Sequence, residues 1–381
     1  MHMAAVAGAG PAGLAAAKRI QEKGWQTVVL EEHPKVGEPA ACTGLISASG
    51  VNDLKLRKAV DASLMNGIKG CQIYSPSHEM IEVKRNETVA YVVDRGQFDR
   101  ALCQESIEAG VEIRPSTRLI DIRNESLFVE HRGRGELVKA RVVVGADGVN
   151  SRVRKIIGID ANAKDFVHAY QVDVSGRFDP RYVQLYFGDY AKGFFAWIVP
   201  ESEERARIGL ASISGNVKKD FGLFTSEKNI TGEFSDMCSS LIPIGEPLKG
   251  ISKDNILLAG DAAFHTKATT GGGIIMGIEA GRIAGDTIDA HFKDNAPLSA
   301  YEKNLESLNK ELKMHWKMRQ FINSLSSEQV DSMLRKMRRA KVGEFLSEAG
   351  DMDRPSRFLG RMLAKPSFWG LFPEAVKFLT T

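Results

Sequence analysis

Hydrophobic and polar positions follow different periods along the chain, and each period predicts a different element. Small apolar residues over 3–8 and β-branched residues over 26–31 predict two strands, and the spacing over 11–24 predicts a helix between them. This order predicts a βαβ unit at the start of the chain. The next stretch, 37–49, is rich in small residues and predicts a loop beside any ligand of that unit.

The pattern changes twice further along. Residues 70–81 and 89–93 alternate like antiparallel strands, 98–109 has helical spacing, and 141–147 is a strongly apolar strand. From 166 to 213 the chain predicts short strands rich in Tyr, Phe and Val, interrupted by glycines and prolines.

A buried-strand pattern returns at 256–259, followed by a predicted helix over 274–291 and an amphipathic, purely helical region beyond 297. The predicted fold is therefore α/β, with a discontinuous Rossmann-like domain, an inserted antiparallel-sheet domain and a helical C-terminal region. The predicted boundaries are 1–65 with 92–160 and 250–295 for the Rossmann-like domain, 66–91 with 161–249 for the inserted domain, and 296–381 for the helical region.

Composition narrows the function classes. The 381 residues include 51 basic and 48 acidic side chains, and a net charge of +3 does not favour nucleic acid as a partner. Four scattered cysteines predict neither a disulfide framework nor a metal site and favour the cytoplasm. Because the chain lacks a run of about 18 apolar residues, we expect no transmembrane helix.

A glycine-rich segment joins the first strand to the first helix. Residues 8–13 read Gly-Ala-Gly-Pro-Ala-Gly. Gly8 permits a tight turn, Gly10 lets a pyrophosphate approach the backbone, and Gly13 allows close helix–strand packing. Glu31, at the end of the second strand, is placed to accept hydrogen bonds from ribose hydroxyls. This context predicts dinucleotide binding.

Two later segments each place an aspartate where a strand ends. Residues 147–152 read Asp-Gly-Val-Asn-Ser-Arg and residues 258–263 read Leu-Ala-Gly-Asp-Ala-Ala. Either alone is typical of an ordinary turn. With the glycine-rich segment, they resemble the three fingerprints of the flavoprotein monooxygenase and geranylgeranyl reductase superfamily. The resemblance implies FAD as the tightly bound cofactor.

Three more segments resemble the geranylgeranyl reductase family in particular. They are 36–47 (Val-Gly-Glu-Pro-Ala-Ala-Cys-Thr-Gly-Leu-Ile-Ser), 93–99 (Val-Asp-Arg-Gly-Gln-Phe-Asp) and 195–200 (Phe-Ala-Trp-Ile-Val-Pro). The last departs from the family's Tyr-x-Trp-x-Phe-Pro pattern, because Phe195 replaces the tyrosine and Val199 the phenylalanine. The third fingerprint departs too, with Phe264 and Ala268 where the family has glycine and proline.

The resemblance implies a set of site residues. Phe195 and Trp197 are expected to line a cavity for an isoprenoid chain. The expected FAD contacts are Gly8, Gly10, Ala12, Gly13, Glu31, Cys42, Thr43, Arg95, Leu119, Asp261, Gly272, Gly273 and Ile274. Cys42 has two interpretations, a catalytic thiol that supplies or relays a proton and a small residue that fills a crowded loop. The other three cysteines are expected in the core.

The implied activity is FAD-dependent reduction of double bonds in geranylgeranyl chains of archaeal membrane lipids or their precursors. A flavin-dependent monooxygenase with the same fold is the alternative. A reductase for a free prenyl diphosphate, quinone or chlorophyll side chain and a non-enzymatic lipid carrier also stay open. The implied partners are a prenylated lipid and an external electron donor, which the sequence leaves open among ferredoxin, a deazaflavin and a nicotinamide.

Two segments raise the question of a membrane surface. Residues 335–341 form a basic cluster and residues 368–372 are aromatic and apolar. A solvated helix face and a packed terminal helix are the favoured interpretations, and contact with the inner face of the cell membrane is the alternative. His265 and Lys267, beside the third fingerprint, are interpreted either as solvated loop residues or as partners of a head group or the flavin.

Overall fold

The computed structural model describes residues 1–365. Its strands are β1 (His2–Ala7), β2 (Thr27–Leu30), β3 (Leu45–Ser47), β4 (Leu64–Ile68), β5 (Gly70–Tyr74), β6 (Met80–Lys84), β7 (Ala90–Val93), β8 (Glu112–Arg114), β9 (Thr117–Arg123), β10 (Ser126–His131), β11 (Arg134–Gly145), β12 (Phe166–Ser175), β13 (Tyr182–Tyr186), β14 (Ala196–Pro200), β15 (Arg205–Ser212), β16 (Phe234–Pro243), β17 (Ser252–Lys253) and β18 (Ile256–Leu258).

The helices separate and follow these strands. They are α1 (Pro11–Glu22), α2 (Ala48–Asp53), α3 (Arg57–Asp61), α4 (Arg95–Glu108), α5 (Arg152–Ile156), α6 (Val217–Glu227), α7 (Ile274–Asp294), α8 (Ala300–Asn304), α9 (Glu306–Asn323), α10 (Ser327–Arg339), α11 (Val342–Ala349) and α12 (Ser356–Leu363). No helix in the described part of the chain is long and apolar enough to cross a membrane.

The first sheet has a parallel centre. Its strands lie in the order β18, β11, β1, β2, β8, and each neighbouring pair among them is parallel. Because every residue of β2 and the last four of β1 are buried, these strands are near-continuous apolar runs. The carboxyl ends of β1, β2, β11 and β18 therefore meet at one edge, where ligands of such sheets bind.

The second sheet has the order β16, β12, β15, β14, β13, β5, β6. It is antiparallel except for the β13–β5 pair, which is parallel. Strands β5 and β6 come from the part of the chain before α4 and the other five from beyond β11, so the inserted sheet is assembled from two separate segments. The exact domain boundaries stay a prediction.

The α/β architecture with a helical C-terminal region confirms the predicted fold class, and three local features differ from the predicted pattern. The loop predicted over 37–49 ends in β3 and the start of α2, because β3 pairs with β7 and the Ser47 hydroxyl accepts a hydrogen bond from the Gly50 amide. The predicted strand at 141–147 is the end of the twelve-residue β11, which forms a meander with β9 and β10. Strand β16 was not predicted.

Candidate functional site

A cavity of about 840 Å³ lies between the two large sheets. One end is lined by the turns that follow β1, β11 and β18, and the middle by aromatic and aliphatic side chains of the second sheet. Two helices, α1 and α7, begin at the wall of this cavity. The cavity thus places polar backbone and an apolar surface in one continuous space.

The start of α1 shows why its three glycines are needed. Gly8 has φ +99°, and a Cβ there would lie 2.4 Å from the Ala146 carbonyl oxygen. A Cβ on Gly13 would lie 2.0 Å from the Gly8 carbonyl oxygen. A Cβ on Gly10 would meet no protein atom within 4 Å, and Gly10 lines the cavity. Internal packing therefore requires glycine at positions 8 and 13, whereas position 10 leaves room for a ligand.

Glu31 is fixed beside this turn. Its Oε2 accepts a hydrogen bond of 2.7 Å from the Ala9 amide, and its Oε1 accepts one of 2.9 Å from the His33 amide. The residue is only 9% exposed. The carboxylate therefore has a set position next to the glycine-rich turn, as ribose recognition would require.

A second helix start faces the same cavity. Gly273 precedes α7 without a side-chain cap among the described residues, so the first amides of this 21-residue helix are open to the cavity. Asp261 follows β18 and accepts a hydrogen bond of 3.0 Å from the Thr266 hydroxyl. Burial raises the pKa of Asp261. Positive helix ends at two sides of one cavity suit an anionic, extended ligand.

The loop that carries Cys42 is held by an arginine of the second sheet. Arg95, which lines the same cavity, is fixed separately by two hydrogen bonds that it donates to Asp99, of 3.1 and 2.8 Å. Arg207 donates from Nη1 to the Thr43 carbonyl oxygen, at 3.1 Å, and to the Cys42 carbonyl oxygen, at 3.4 Å. The cysteine therefore lies against the cavity on a loop whose backbone is anchored by a charged side chain.

Acidic side chains of the second sheet neutralise the charge of Arg207. Its Nε lies 2.7 Å from the Glu201 carboxylate, whose side chain is 2% exposed. Asp173 and Arg205 complete the network, with Arg205 only 2.6 Å from Asp173. Because each buried charge has a partner of opposite sign, the network can hold the loop without an unpaired charge.

Aromatic rings form the far wall. Phe194 and Phe195 stack with centroids 4.3 Å apart, and Trp197 meets Phe195 edge-on at 6.1 Å. The fully buried Arg319 places its guanidinium carbon 4.3 Å from the Phe194 centroid. A Cβ on Gly271 would lie 3.4 Å from Phe194, so this wall abuts the glycine run before α7.

Sequence comparisons agree with this geometry. A family model described as an FAD binding domain matches residues 2–220. The digeranylgeranylglycerophospholipid reductase of Methanosarcina acetivorans is 33% identical over 334 residues, which cover 82% of this chain and 79% of the relative. That of Methanothrix thermoacetophila is 30% identical over 368 residues, covering 89% and 92%.

The chain belongs to the digeranylgeranylglycerophospholipid reductase family. It is an FAD-dependent oxidoreductase, as the resemblance implied. A geranylgeranyl bacteriochlorophyll reductase-like protein from Thermoplasma acidophilum superposes with a TM-score of 0.88 over 100% of this chain and 98% of that one. At 23% identity it supports the fold alone.

The cavity fits FAD on its own chemistry. The open position at Gly10 and the amides of α1 suit a pyrophosphate, the fixed carboxylate of Glu31 suits a ribose, and Asp261 with the amides of α7 suits the flavin end. In this family member the structure brings most of the expected contact residues to the cavity wall. They are Gly10, Ala12, Cys42, Thr43, Arg95, Asp261, Gly272, Gly273, Ile274, Phe195 and Trp197.

Four expected FAD contacts lie behind that wall. Gly8 and Gly13 shape the turn by close packing, and Glu31 holds the turn through Ala9. Leu119 is 8% exposed within β9 and belongs to the main core. These residues remain predicted cofactor contacts.

Some secondary expectations were wrong. His265 and Lys267 are not solvated, with exposures of 0% and 4%, because the loop after β18 folds inward. Cys103 is a core residue as expected, whereas Cys71 and Cys238 line the cavity. Asp147, in the second fingerprint, caps α5 by accepting from the Arg152 and Val153 amides at 2.6 and 3.0 Å.

Sequence reasoning missed Asp353, which lies in the cavity wall region between α11 and α12. Its carboxylate pairs with the Lys267 ammonium and accepts a hydrogen bond from the Ser47 hydroxyl. An aspartate in a polar helical region carries no sequence signal for such a role. Arg207 carried one, because a charged side chain within the apolar strand β15 needs a buried partner.

Proposed function

We propose that the chain reduces carbon–carbon double bonds in the geranylgeranyl chains of digeranylgeranylglycerophospholipids. The observation that carries this proposal is the cavity that joins the FAD-compatible end to the apolar wall, with Cys42 between them. Family membership supports the same reaction class and the same kind of substrate.

Saturating an isolated double bond requires a hydride at one carbon and a proton at the other. When bound, reduced FAD supplies the hydride. The chain's own side chains must then position the alkene and exclude water. An unactivated alkene has no charged or polar group for the protein to bind, so apolar contacts must position it. Phe195 and Trp197, each 6% exposed, provide an apolar aromatic wall for that purpose.

Cys42 is the proposed proton source. Its Sγ accepts a hydrogen bond of 3.4 Å from the Gly44 amide, and the loop backbone is tied to Arg207. A thiol held at a fixed point of the cavity can deliver a proton to a carbon and then be reprotonated from solvent. We propose Cys42 as catalytic and Arg207 as a positioning residue.

The cofactor contacts are proposed as a set. The glycine-rich turn is proposed to bind the pyrophosphate through Gly8, Gly10, Ala12 and Gly13, with Glu31 beside it. The other proposed FAD contacts bind the remaining parts of the cofactor. They are Cys42, Thr43, Arg95, Leu119, Asp261, Gly272, Gly273 and Ile274. The amides at the start of α7 would stabilise negative charge at the flavin end.

An anaerobic experiment tests the reaction. The holoprotein is reduced with dithionite, digeranylgeranylglycerophospholipid is added, and flavin absorbance is followed together with the mass of the lipid. We expect flavin reoxidation with a gain of two hydrogens per reduced double bond. If the flavin stays reduced until oxygen is admitted, the proposal fails and the monooxygenase alternative takes its place.

We further propose that the electron donor reaches the flavin only transiently. The fingerprints describe one dinucleotide site, which FAD would occupy. The electron donor is therefore expected to bind weakly and elsewhere on the protein surface. Mixing the oxidised holoprotein anaerobically with NADPH, reduced ferredoxin or a reduced deazaflavin distinguishes the three donors by the rate of flavin bleaching. Bleaching at equal rates by all three would contradict a specific donor.

Peripheral membrane contact through α10 is the remaining proposal. The side chains of Lys336, Arg338, Arg339 and Lys341 are exposed, while Val330 and Leu334 pack inward. A basic face of this kind attracts anionic lipid surfaces. Residues 368–372 lie outside the described residues. Sedimentation with anionic but not neutral vesicles is the expected result, and equal sedimentation with both would contradict it.

A further inference from the structure

The cavity has a second end that the reaction does not use. Opposite the turns of the parallel sheet, its lining ends in Lys69 and Arg85. An outer hollow shares these two residues and adds Lys84 and Arg181 to its lining. The apolar space therefore continues from the FAD-compatible end to a mouth with basic side chains, which we call the basic mouth.

The backbone keeps these cations together. The Arg85 amide donates to the Lys69 carbonyl oxygen at 2.8 Å, and the Lys69 amide donates to the Arg181 carbonyl oxygen at 2.8 Å. The three residues therefore come from three adjacent strand ends in the second sheet. Main-chain hydrogen bonds therefore fix the backbone positions from which these three side chains extend.

Acidic side chains neutralise some of the cations at the basic mouth but not all of them. Arg181 pairs with Asp179 at 2.7 Å, and Lys84 pairs with Glu82 at 3.0 Å. Lys69 is exposed and has no ion-pair partner among residues 1–365.

Arg85 is held mainly by neutral groups. Its Nε donates to the Ser347 carbonyl oxygen at 2.5 Å and its Nη2 to the Gly350 carbonyl oxygen at 2.8 Å. Glu87, 68% exposed, is 3.9 Å from Nη1, and the exposed Glu348 also lines the outer hollow. The lining of the outer hollow therefore carries four basic side chains against two acidic ones, and Lys69 is the one of the four with no ion-pair partner among residues 1–365.

The geometry points to the basic mouth as the binding site for an anionic phosphate head group whose prenyl chains lie in the cavity. The path between the two ends is apolar, with Ile73, Val83 and Leu185 in its wall. A lipid with apolar chains and a phosphate head matches this order of surfaces. The inference rests on the proposed function for the identity of the chains, and it adds a specificity site for the head group.

The test compares two lipids with the same chains. Digeranylgeranylglyceryl phosphate and neutral digeranylgeranylglycerol are titrated into the oxidised holoprotein, and the Kd of each is read from the change in flavin absorbance. Without a reductant no turnover occurs, so binding is measured independently of the reaction. We expect the phosphate lipid to bind roughly tenfold more tightly at low salt, with the difference shrinking at high salt.

Variants of the basic mouth test whether it causes the difference in Kd between the two lipids. Lys69→Met is expected to remove most of the preference for the phosphate lipid without changing the Kd of the neutral lipid, and Lys69→Arg is expected to keep it. Lys249→Met is the matched control, because Lys249 is exposed and lines neither hollow. Arg85→Lys provides a second variant that retains the charge but loses the planar contact.

The outcomes separate this inference from the proposed function. Equal Kd values for the two lipids in the unmodified protein overturn the head-group site, whether or not the lipids are reduced. A preference that survives Lys69→Met also overturns it. Glycerol phosphate without chains is expected to compete only at much higher concentration, and competition as tight as that of the lipid would assign the mouth to a free phosphate. A preference without any gain in lipid mass supports the head-group site and defeats the proposed reaction.

Discussion

The ammonium of Lys267 lies 2.5 Å from the carboxylate of Asp353, with both side chains no more than 5% exposed. This pair joins the loop after β18, beside the FAD-compatible end, to the segment between α11 and α12. Ser47, the last residue of β3, donates a hydrogen bond to the same carboxylate, so the pair also reaches the strand that follows the Cys42 loop. Asp353 therefore holds three separate parts of the chain around one cavity.

Asp353→Asn is expected to destabilise the protein by about 3–5 kcal/mol, because it leaves the Lys267 ammonium buried without a counter-charge. The free energy of unfolding from urea titration measures the effect. Glu306→Gln is the control, because the Glu306–Lys310 pair is exposed and its loss should cost less than about 0.5 kcal/mol. A loss for Asp353→Asn no larger than the control would show that the buried pair contributes little.

Stability is expected to fall as the pH drops from 6.5 towards 5. Burial lowers the pKa of His265 to about 3, and burial with the nearby Lys267 lowers that of His315 to about 4. In the unfolded chain both histidines bind a proton near pH 6.5, whereas the folded chain leaves them neutral. The unfolded state therefore gains protons in this window, at a cost to the folded state of up to about 1.4 kcal/mol per pH unit for each histidine.

The double variant His265→Asn, His315→Asn tests this cause. Its unfolding free energy should depend less steeply on pH between 6.5 and 5 than that of the unmodified protein. Only the slope is compared, because the substitutions also change the absolute stability. Identical slopes would assign the acid sensitivity to other groups.

Glu31→Gln is expected to weaken FAD binding roughly tenfold, since it replaces a charged hydrogen-bond acceptor beside the glycine-rich turn. The Kd for FAD is measured by recovery of free flavin fluorescence on dilution. Glu32→Gln is the matched control, because Glu32 is the next residue and is exposed. Equal losses in the two variants would count against a ribose contact at position 31.

Cys42→Ala is expected to lower the rate of lipid reduction at least tenfold while the FAD content stays unchanged, because it removes the proposed proton source. Single-turnover flavin reoxidation under anaerobic conditions gives the rate. Cys71→Ala is the control, since Cys71 also lines the cavity and burial raises its pKa to about 11. If both variants react as fast as the unmodified protein, water or another group supplies the proton.

Gly209→Ala is expected to disturb the aromatic wall. A Cβ there would lie 2.6 Å from the Trp197 ring and 2.7 Å from the Tyr170 carbonyl oxygen, so the ring or the strand must shift. We expect a loss of about 1–3 kcal/mol in stability and a higher KM for the lipid. Gly222→Ala, inside α6 where a Cβ meets no atom within 4 Å, should leave KM unchanged and raise stability by up to about 1 kcal/mol.

The sequence predicted those parts of the site that depend on backbone constraint. The turn at residues 8–13 needs glycine for local reasons, and the ends of β11 and β18 are marked by short apolar runs followed by aspartate. Such signals are contained within a few neighbouring residues. They were sufficient for the fold class and for FAD as the cofactor, and the individual FAD contacts stay a prediction.

The rest of the site depends on contacts between distant residues. Asp353 meets Lys267 across 86 positions, and Arg207 reaches Thr43 across 164. Asp353 has no unusual neighbourhood in sequence, and the charge of Arg207 within an apolar strand indicates a buried partner without saying which one. The roles of both residues therefore follow from the way the second sheet and the C-terminal helices pack. The inward fold of His265 was likewise hidden, because its burial comes from tertiary packing and not from its own polarity.

Strand β1 lies at the centre of the first sheet and is synthesised before its neighbour β11. Strand β18, which extends the sheet beyond β11, follows β1 by more than 240 residues. The ribosome therefore releases the glycine-rich turn long before α7 can pack against α1. During that interval the nascent chain has the glycine-rich turn without the helix that we propose faces the flavin. We therefore expect the cofactor to be captured late in synthesis, after α7 has emerged.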